Sequence, residues 1–360
     1  MMKSYLLGID IGTSACKVAV FDRNGKVLAA ASGDYPVYYP HEGWAEQNPE
    51  EWWDAVCRAT KETIQKADIT ADEIAGIGID GQSWSAIPID REGNVLANTP
   101  IWMDTRAQSI CDRLNQEIGQ EEIFEIAGNS LQPSYSTAKI LWYKENLPEV
   151  YAKIHKILQS NSYIAFKLTG AITQDVSQGY GLHCFNMKKG CWDEKMCEHL
   201  GIPMEFLPEI CDCDHVVGTV TGKAAAECGL VEGIPVVAGG LDAACGTLGA
   251  GVIHSGETQE QGGQAGGMSI CTEEYKADPR LILSYHVVPG KWLLQGGTTG
   301  GGGVMRWFEH EFADYERMMK EQTGVSSLDQ LNKIAEKVAP GCDNDKEIGR
   351  KSPNDRAKDG

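Results

Sequence analysis

Positive charge is scarce in this sequence: 32 Lys and Arg stand against 51 Asp and Glu, for a formal net charge of −19. That balance argues against nucleic acid or an anionic membrane as the main partner, since both demand a basic surface. Long apolar runs are also missing. None approaches the roughly 20 residues of a membrane span, and Leu6-Leu7 runs at once into Gly8 and Asp10 rather than into the apolar core of a secretion signal. A cytoplasmic protein is expected. Twelve cysteines occur without one Cys-x-x-Cys pair, and their spacing carries no disulfide framework, so scattered reduced thiols are expected. The nearest approach to a metal motif is Cys211-Asp212-Cys213-Asp214-His215, whose alternate residues would share one strand face. Cys191, Cys197 and His199 offer only a loose second pair of ligands, which falls short of a structural zinc site.

What is present suits a globular protein. At 360 residues and 42% apolar content, two domains with separate cores are expected. Residues 5–22 organise the rest. Two apolar strand-like runs flank a turn of small residues, Gly12-Thr13-Ser14, with Asp10 at its entrance and Lys17 just beyond. A second turn, Arg23-Asn24-Gly25-Lys26, would make a third strand from Val27 to Ala31, giving an antiparallel meander. The first turn fits an anion site: Gly12 lets backbone N–H groups approach a phosphate, and Thr13, Ser14 and Lys17 add donors. Asp10 would repel a bare phosphate and is sensible beside a metal ion. An ordinary hairpin carrying an acid and a glycine fits the same residues.

Further along, Asn48-Pro49-Glu50-Glu51 opens a helix, with Asn48 as its cap, Pro49 in the first turn and Glu51 at the capping-box position. Residues 74–80 read as a buried strand and 86–89 as another. Gly76-Ile77-Gly78-Ile79-Asp80-Gly81 matches a dinucleotide fingerprint, but the glycines fall inside the strand instead of opening a helix, so a nicotinamide oxidoreductase is not expected. Helices are expected from about 106 to 118, from 133 to 146, across 153–168, and briefly at 223–228. Residues 234–242 form a strand that delivers Asp242 at its carboxyl end, followed by a helix start. Two glycine bursts follow, Gly262 to Gly267 and Gly296 to Gly303, and the second can present backbone N–H groups at a helix start. Residues 340–360 are nearly all polar, charged, Gly or Pro, as in a disordered tail.

Taken in order, Asp10-x-Gly12-Thr13-Ser14, Gly43-Trp44-Ala45-Glu46-Gln47, Trp102-x-Asp104-x-Arg106, Lys139-x-x-Trp142 and Gly240-x-Asp242 resemble the FGGY carbohydrate kinases over residues 1 to about 338. The resemblance implies an α/β protein of the actin-like ATPase (ribonuclease H-like) fold, with ATP-Mg²⁺ and a sugar or polyol meeting in a cleft between two domains. It implies an amino-terminal sugar-binding and catalytic domain at 1–250, a partial nucleotide-binding domain at 251–338 and a polar tail at 339–360. By position, Asp242 matches the general base that takes a proton from the attacking sugar hydroxyl, the one acceptor that phosphoryl transfer needs. Asp10 matches the acid that holds Mg²⁺ through water. Gly12, Thr13, Ser14, Lys17, Gly263, Gln264, Gly301 and Gly302 fall where the family binds ATP phosphates. Gln82, Ser83, Trp84, Trp102, Asp104 and Arg106 fall where it meets the sugar, although each tryptophan taken alone also fits a core position.

The pattern departs from the family in four places. Ser83-Trp84 stands where Met-His is usual in relatives acting on ketopentoses, and Ala243 follows the catalytic acid in place of Asn or Gln. Gly263-Gln264-Ala265 replaces Gly-Thr-Ser, removing one phosphate hydroxyl. The family also continues through an adenine-binding segment absent here, which makes the second domain incomplete. The expected activity is ATP-dependent phosphorylation of a ketopentose such as xylulose, in a possible homodimer. The alternative is an impaired, truncated kinase or a sugar-binding pseudoenzyme.

Overall fold

Alternation decides the first strands. In the computed structural model, which describes residues 4–262, 266–298 and 301–338, Leu7, Ile9 and Ile11 point into the core while Leu6, Gly8 and Asp10 point away. Tyr5–Ile11 (β1), Ala15–Phe21 (β2) and Val27–Asp34 (β3) form the expected antiparallel meander, with β3 running three residues past the expected end. The strand Ile74–Gly81 (β4) lies parallel to β1, and the sheet continues through Pro235–Val237 (β6) to Val216–Thr219 (β5). The short strand Gly240–Leu241 (β7) also pairs with β4. The fingerprint glycines Gly76 and Gly78 therefore sit inside a strand, opposite Leu6 and Gly8.

One face of this sheet is covered by helices Pro49–Ala67 (α1), Ser160–Thr169 (α3) and Gly222–Cys228 (α4). Trp52, Ala55, Val56 and Ala59 of α1 pack on the buried side chains of β1 and β2. Gly33 lets α1 come close, since a Cβ there would lie 2.9 Å from that of Ala55. Asn48 caps α1 by accepting from the Glu50 N–H. Glu51 does not complete a capping box. Its carboxylate accepts instead from the Tyr38 hydroxyl at 2.7 Å, a stronger partner than a backbone amide already near the helix end.

Several local expectations change. Residues 153–168 are not one helix: Lys156–Leu158 is a strand paired with Ile87–Ile89, and α3 begins only at Ser160. The segment after Arg106 is Gln108–Leu114, a widened turn at Asn115–Gly119, then Gln120–Ala127. Helix Ser136–Asn146 (α2) lies within the range expected for it. Cys57 of α1 and Cys228 of α4, 171 residues apart, are joined as a disulfide with Cα atoms 4.0 Å apart. The expectation of reduced thiols throughout fails at that pair, because sequence spacing carries no information about two helices that only the fold brings into contact.

By contacts the chain forms a large unit, Met1–Gln259 with Met268–Gly296, and a small one, Glu260–Gly267 with Gly297–Gly360. In the small unit, Gly302–Phe312, Asp314–Thr323 and Ser327–Ala335 are helices. Ser327 Oγ donates to Glu309, and Gln330 Nε2 donates to the carbonyls of Glu316 and Val325. Residues 339–360 lie outside the described residues. Among the described residues no helix is long and apolar enough to cross a membrane.

Candidate active site

Strand register builds the site. Asp10 lies opposite Lys17 on one side and Asp80 on the other, and Gly240 lies opposite Asp80. The side chains at 10, 17 and 80 therefore share the sheet face away from α1, and Asp242 follows two residues after Gly240. Asp242 is the first residue of helix Asp242–Gly249 (α5), not the last of a strand. The single strand expected over 234–242 breaks at Gly239, whose φ is +73° and whose added Cβ would sit 1.8 Å from the Ile79 carbonyl oxygen. Only glycine allows that bend, and the bend turns Asp242 toward the other acids. Behind it, buried Asp175 accepts from Ser177 Oγ, which in turn accepts from the Leu241 N–H at 2.9 Å.

The acids perturb one another. Lys17 Nζ meets Asp10 Oδ2 at 3.0 Å, and that contact raises the Lys17 ammonium above its ordinary range. Burial, reinforced by the charges of Asp10 and Asp242, pushes the Asp80 carboxyl up to about 9. Burial likewise lifts Asp242 to about 7, although the Ala243 N–H at 2.6 Å opposes the shift. One lysine among three carboxyl groups leaves the cluster short of positive charge, a donor set that suits a divalent cation. Among the described residues no three His, Cys, Asp or Glu side chains converge on a bare ion.

The phosphate-type turn lies at the end of β1. Gly12 N–H donates to the Ala15 carbonyl at 3.2 Å, and the Tyr35 hydroxyl holds the Gly12 carbonyl at 2.6 Å. Trp102 Nε1 donates to Thr13 Oγ1 at 3.0 Å, which leaves the threonine O–H able to donate. Ser14 is exposed at the tip. Gln47 Nε2 donates to the Thr13 carbonyl, and Gln47 Oε1 accepts from Gln82 Nε2 at 2.8 Å. Among the described residues the buried Gln82 Oε1 has no hydrogen-bond partner.

Beyond Gln82 the backbone turns sharply, and Trp84 adopts φ +62°. Its ring stacks on Tyr135 at 4.2 Å between centroids and meets Tyr180 edge-on at 5.9 Å. Burial carries the Tyr180 phenol well above its usual range, and Asp242 adds to the effect, while Ser83 and Trp84 lie at its hydroxyl. Half-buried Trp84, backed by the buried rings of Tyr135 and Tyr180 with Ser83 at its edge, thus forms an aromatic wall within electrostatic reach of Asp242.

Asp104 and Arg106 are committed elsewhere. Asp104 is fully buried; Oδ2 accepts from the Ala45 N–H at 2.7 Å and Oδ1 from the Arg106 N–H at 3.0 Å. Arg106 pairs with Asp104 and Glu46, both at 2.8 Å, and its guanidinium lies over Trp44 at 3.9 Å. The two residues fasten the segment behind Trp102. Gly301 and Gly302 belong to the small unit, where Gly301 precedes the helix Gly302–Phe312. Gly263 and Gln264 lie outside the described residues. Tyr135 and Tyr180 have no local signal in the sequence, while Gln47 and Asp80 stand in motifs that assign them no role at the site. Asp80 was visible in principle, because a parallel strand in register with β1 sets its end beside Asp10.

A family model described as the FGGY family of carbohydrate kinases, N-terminal domain, matches residues 5–249. Xylulose kinase of Bacillus subtilis (strain 168) is 32% identical over 326 residues, 90% of this chain and 65% of that protein. Gluconokinase of the same organism is 30% identical over 347 residues, 95% of this chain and 66% of its own length. The crystal structure of xylulose kinase from Rhodospirillum rubrum superposes with a TM-score of 0.84 at 28% identity, over 94% of this chain and 68% of that one. The chain thus spans just under two-thirds of the length of these curated relatives. Likeness in sequence and in fold, the actin-like ATPase fold of the sugar kinases, together establish that the chain belongs to the FGGY family of carbohydrate kinases.

Proposed function

We propose that this chain carries the sugar side of an ATP-dependent kinase that phosphorylates a ketopentose such as xylulose, with Asp242 as general base. The observation that carries the reading is the row of Asp10, Lys17 and Asp80 ending beside Asp242, next to the Gly12-Thr13-Ser14 turn and the aromatic wall. A carboxyl group lifted to about 7 is matched to accept a hydroxyl proton near neutral pH. Bound Mg²⁺, carried through water by Asp10, would neutralise phosphate charge. Thr13, Ser14 and the turn's N–H groups orient the phosphates of ATP, while Trp84 and Trp102 cover the apolar face of the sugar and Gln82 Oε1 accepts from one of its hydroxyls.

A neutral acceptor is favoured over gluconate. Of the cations placed near the site among the described residues, Lys17 faces Asp10, Arg106 is held by Asp104 and Glu46, and Lys139 is spent on backbone carbonyls, so each already has a partner that a substrate carboxylate would have to displace.

A coupled ADP-release assay across pentuloses, hexuloses, polyols and gluconate, beside calorimetric sugar binding, tests the proposal. Asp242→Ala is expected to lower turnover by about 10²–10⁴ while sugar affinity survives. Full turnover in that variant sinks the assignment of the base. Sugar binding without turnover in the wild-type chain instead favours the second reading, a sugar-binding protein that does not transfer phosphate.

A further inference from the structure

Lys139 is fully buried on α2, and its Nζ donates to three backbone carbonyls: Trp84 and Ile101 at 2.8 Å and Ser134 at 2.5 Å. An ammonium has three N–H donors, so this one is fully used. The acceptors come from three separate segments. Each carbonyl belongs to, or immediately precedes, an aromatic residue of the proposed sugar side: Trp84 and, after Ser134, Tyr135 of the wall described above, and Trp102 after Ile101. Two other side chains on the same face of α2 act alongside it. Ser136 Oγ holds the Ser85 carbonyl at 2.9 Å and the Tyr143 hydroxyl holds that of Ala86 at 3.0 Å. Three successive carbonyls, Trp84 to Ala86, are thereby gripped by one helix stripe, at the point where Trp84 takes its positive φ.

We infer that Lys139 is the positioning residue of the sugar-side wall, setting Trp84, Trp102 and Tyr135 at fixed mutual distances through a single buried ammonium. The inference rests on the sugar-binding reading above. Filling space does not account for a lysine here: a methionine has similar reach and would spare the cost of burying a charge. Through Ile101 the ammonium also fixes Trp102, whose indole N–H reaches Thr13 Oγ1, so the wall and the phosphate-type turn share one anchor. Burial lowers the Lys139 ammonium to about 7, with Asp104 opposing the shift and Arg106 adding to it, and the three carbonyl acceptors are the groups that hold its N–H donors.

The test compares the wild-type chain with Lys139→Met by near-ultraviolet circular dichroism, far-ultraviolet circular dichroism and calorimetric titration with xylulose. The variant is expected to keep its far-ultraviolet spectrum, to lose the near-ultraviolet signal of the Trp84–Tyr135 stack, and to bind xylulose at least tenfold more weakly. A folded variant with both the near-ultraviolet spectrum and the sugar affinity of the wild type overturns the inference. Lys139→Gln, which keeps an NH₂ donor on a shorter stem, carries the same readouts should the methionine variant not fold, and is expected to fall between the two. Failure of both to fold also overturns the assignment, because Lys139 would then serve the fold and not the wall. The near-ultraviolet signature needs no sugar. It therefore separates failure of this inference from failure of the sugar-binding reading, which absent xylulose binding in the wild type would signal instead.

Discussion

Replacing Asp80 by asparagine should make the metal-free protein more stable, not less, and increasingly so as pH rises. The reasoning starts from register. Asp80 faces Asp10 across neighbouring parallel strands, and Asp242 approaches from the strand on its other side. Adjacent strands lie about 4.8 Å apart, and at that spacing two carboxylates repel by roughly 3–4 kcal/mol for an effective dielectric constant near 20. Lys17 offsets only part of this, since it is already paired with Asp10. Asp80 is therefore pushed up to about 9 in the folded chain, by burial first and by its two acidic neighbours next. In the unfolded chain it would titrate near 3.9. Between those values the folded state holds a proton that the unfolded state has lost, so stability falls as pH rises from about 4 to about 9.

At pH 7 the linkage limit is about 3 pH units at 1.36 kcal/mol each, roughly 4 kcal/mol. Water reaches the row of acids, so about 1–3 kcal/mol is the working figure. Asp80→Asn removes that term. Urea unfolding in EDTA at pH 4.5, 7 and 8.5 should show near-equal stabilities at the acid end and a growing advantage for the variant above it. Mg²⁺ should close part of the gap by stabilising the wild type, because the cation favours the ionised cluster. A variant less stable than wild type at pH 8.5, or a gap that does not change with pH, would refute the account of the site as an unneutralised carboxylate row.

Gly239→Ala should cost more than about 3 kcal/mol, or prevent folding, because its φ of +73° and the 1.8 Å approach to the Ile79 oxygen leave no room for a methyl group; a thermal melt within a few degrees of wild type would count against the bend described for Asp242. Asp104→Asn should destabilise by about 3–5 kcal/mol by leaving Arg106 under-paired in a buried setting. Its sugar affinity, measured at a temperature where the variant is folded, should stay within about twofold of wild type. A large loss of affinity without loss of stability would return Asp104 to the sugar contacts.

How much of this the residues announce depends on distance along the chain. The meander, the capped helix α1 and the turn at Gly12 are set by neighbours a few positions apart, and the structure follows them closely. The fingerprint glycines were read as strand residues for a local reason too: the isoleucines between them alternate and leave no helix to open. Failures occur where the deciding partner is remote. Glu51 forgoes its cap for Tyr38, and Cys57 finds Cys228 across 171 residues. Asp104 keeps the position that the family resemblance gave it, yet its two oxygens turn to Ala45 and Arg106, away from any open space.

The same contrast explains why the site itself was only half legible. Asp10 and Asp242 stand in short, orderly motifs, so resemblance carries them. Asp80 was hidden inside a strand set aside as a false fingerprint, and its significance appears only when β4 pairs with β1 in register. Lys139 marks the opposite case, a residue visible in a motif whose purpose is not. From the spacing Lys139-x-x-Trp142 alone it reads as part of a helix face, and nothing local says that its ammonium collects carbonyls from residues 84, 101 and 134. A buried lysine with three carbonyl acceptors makes sense only if those three segments must be held at a fixed distance from one another, and the aromatic rings they carry are the reason for holding them.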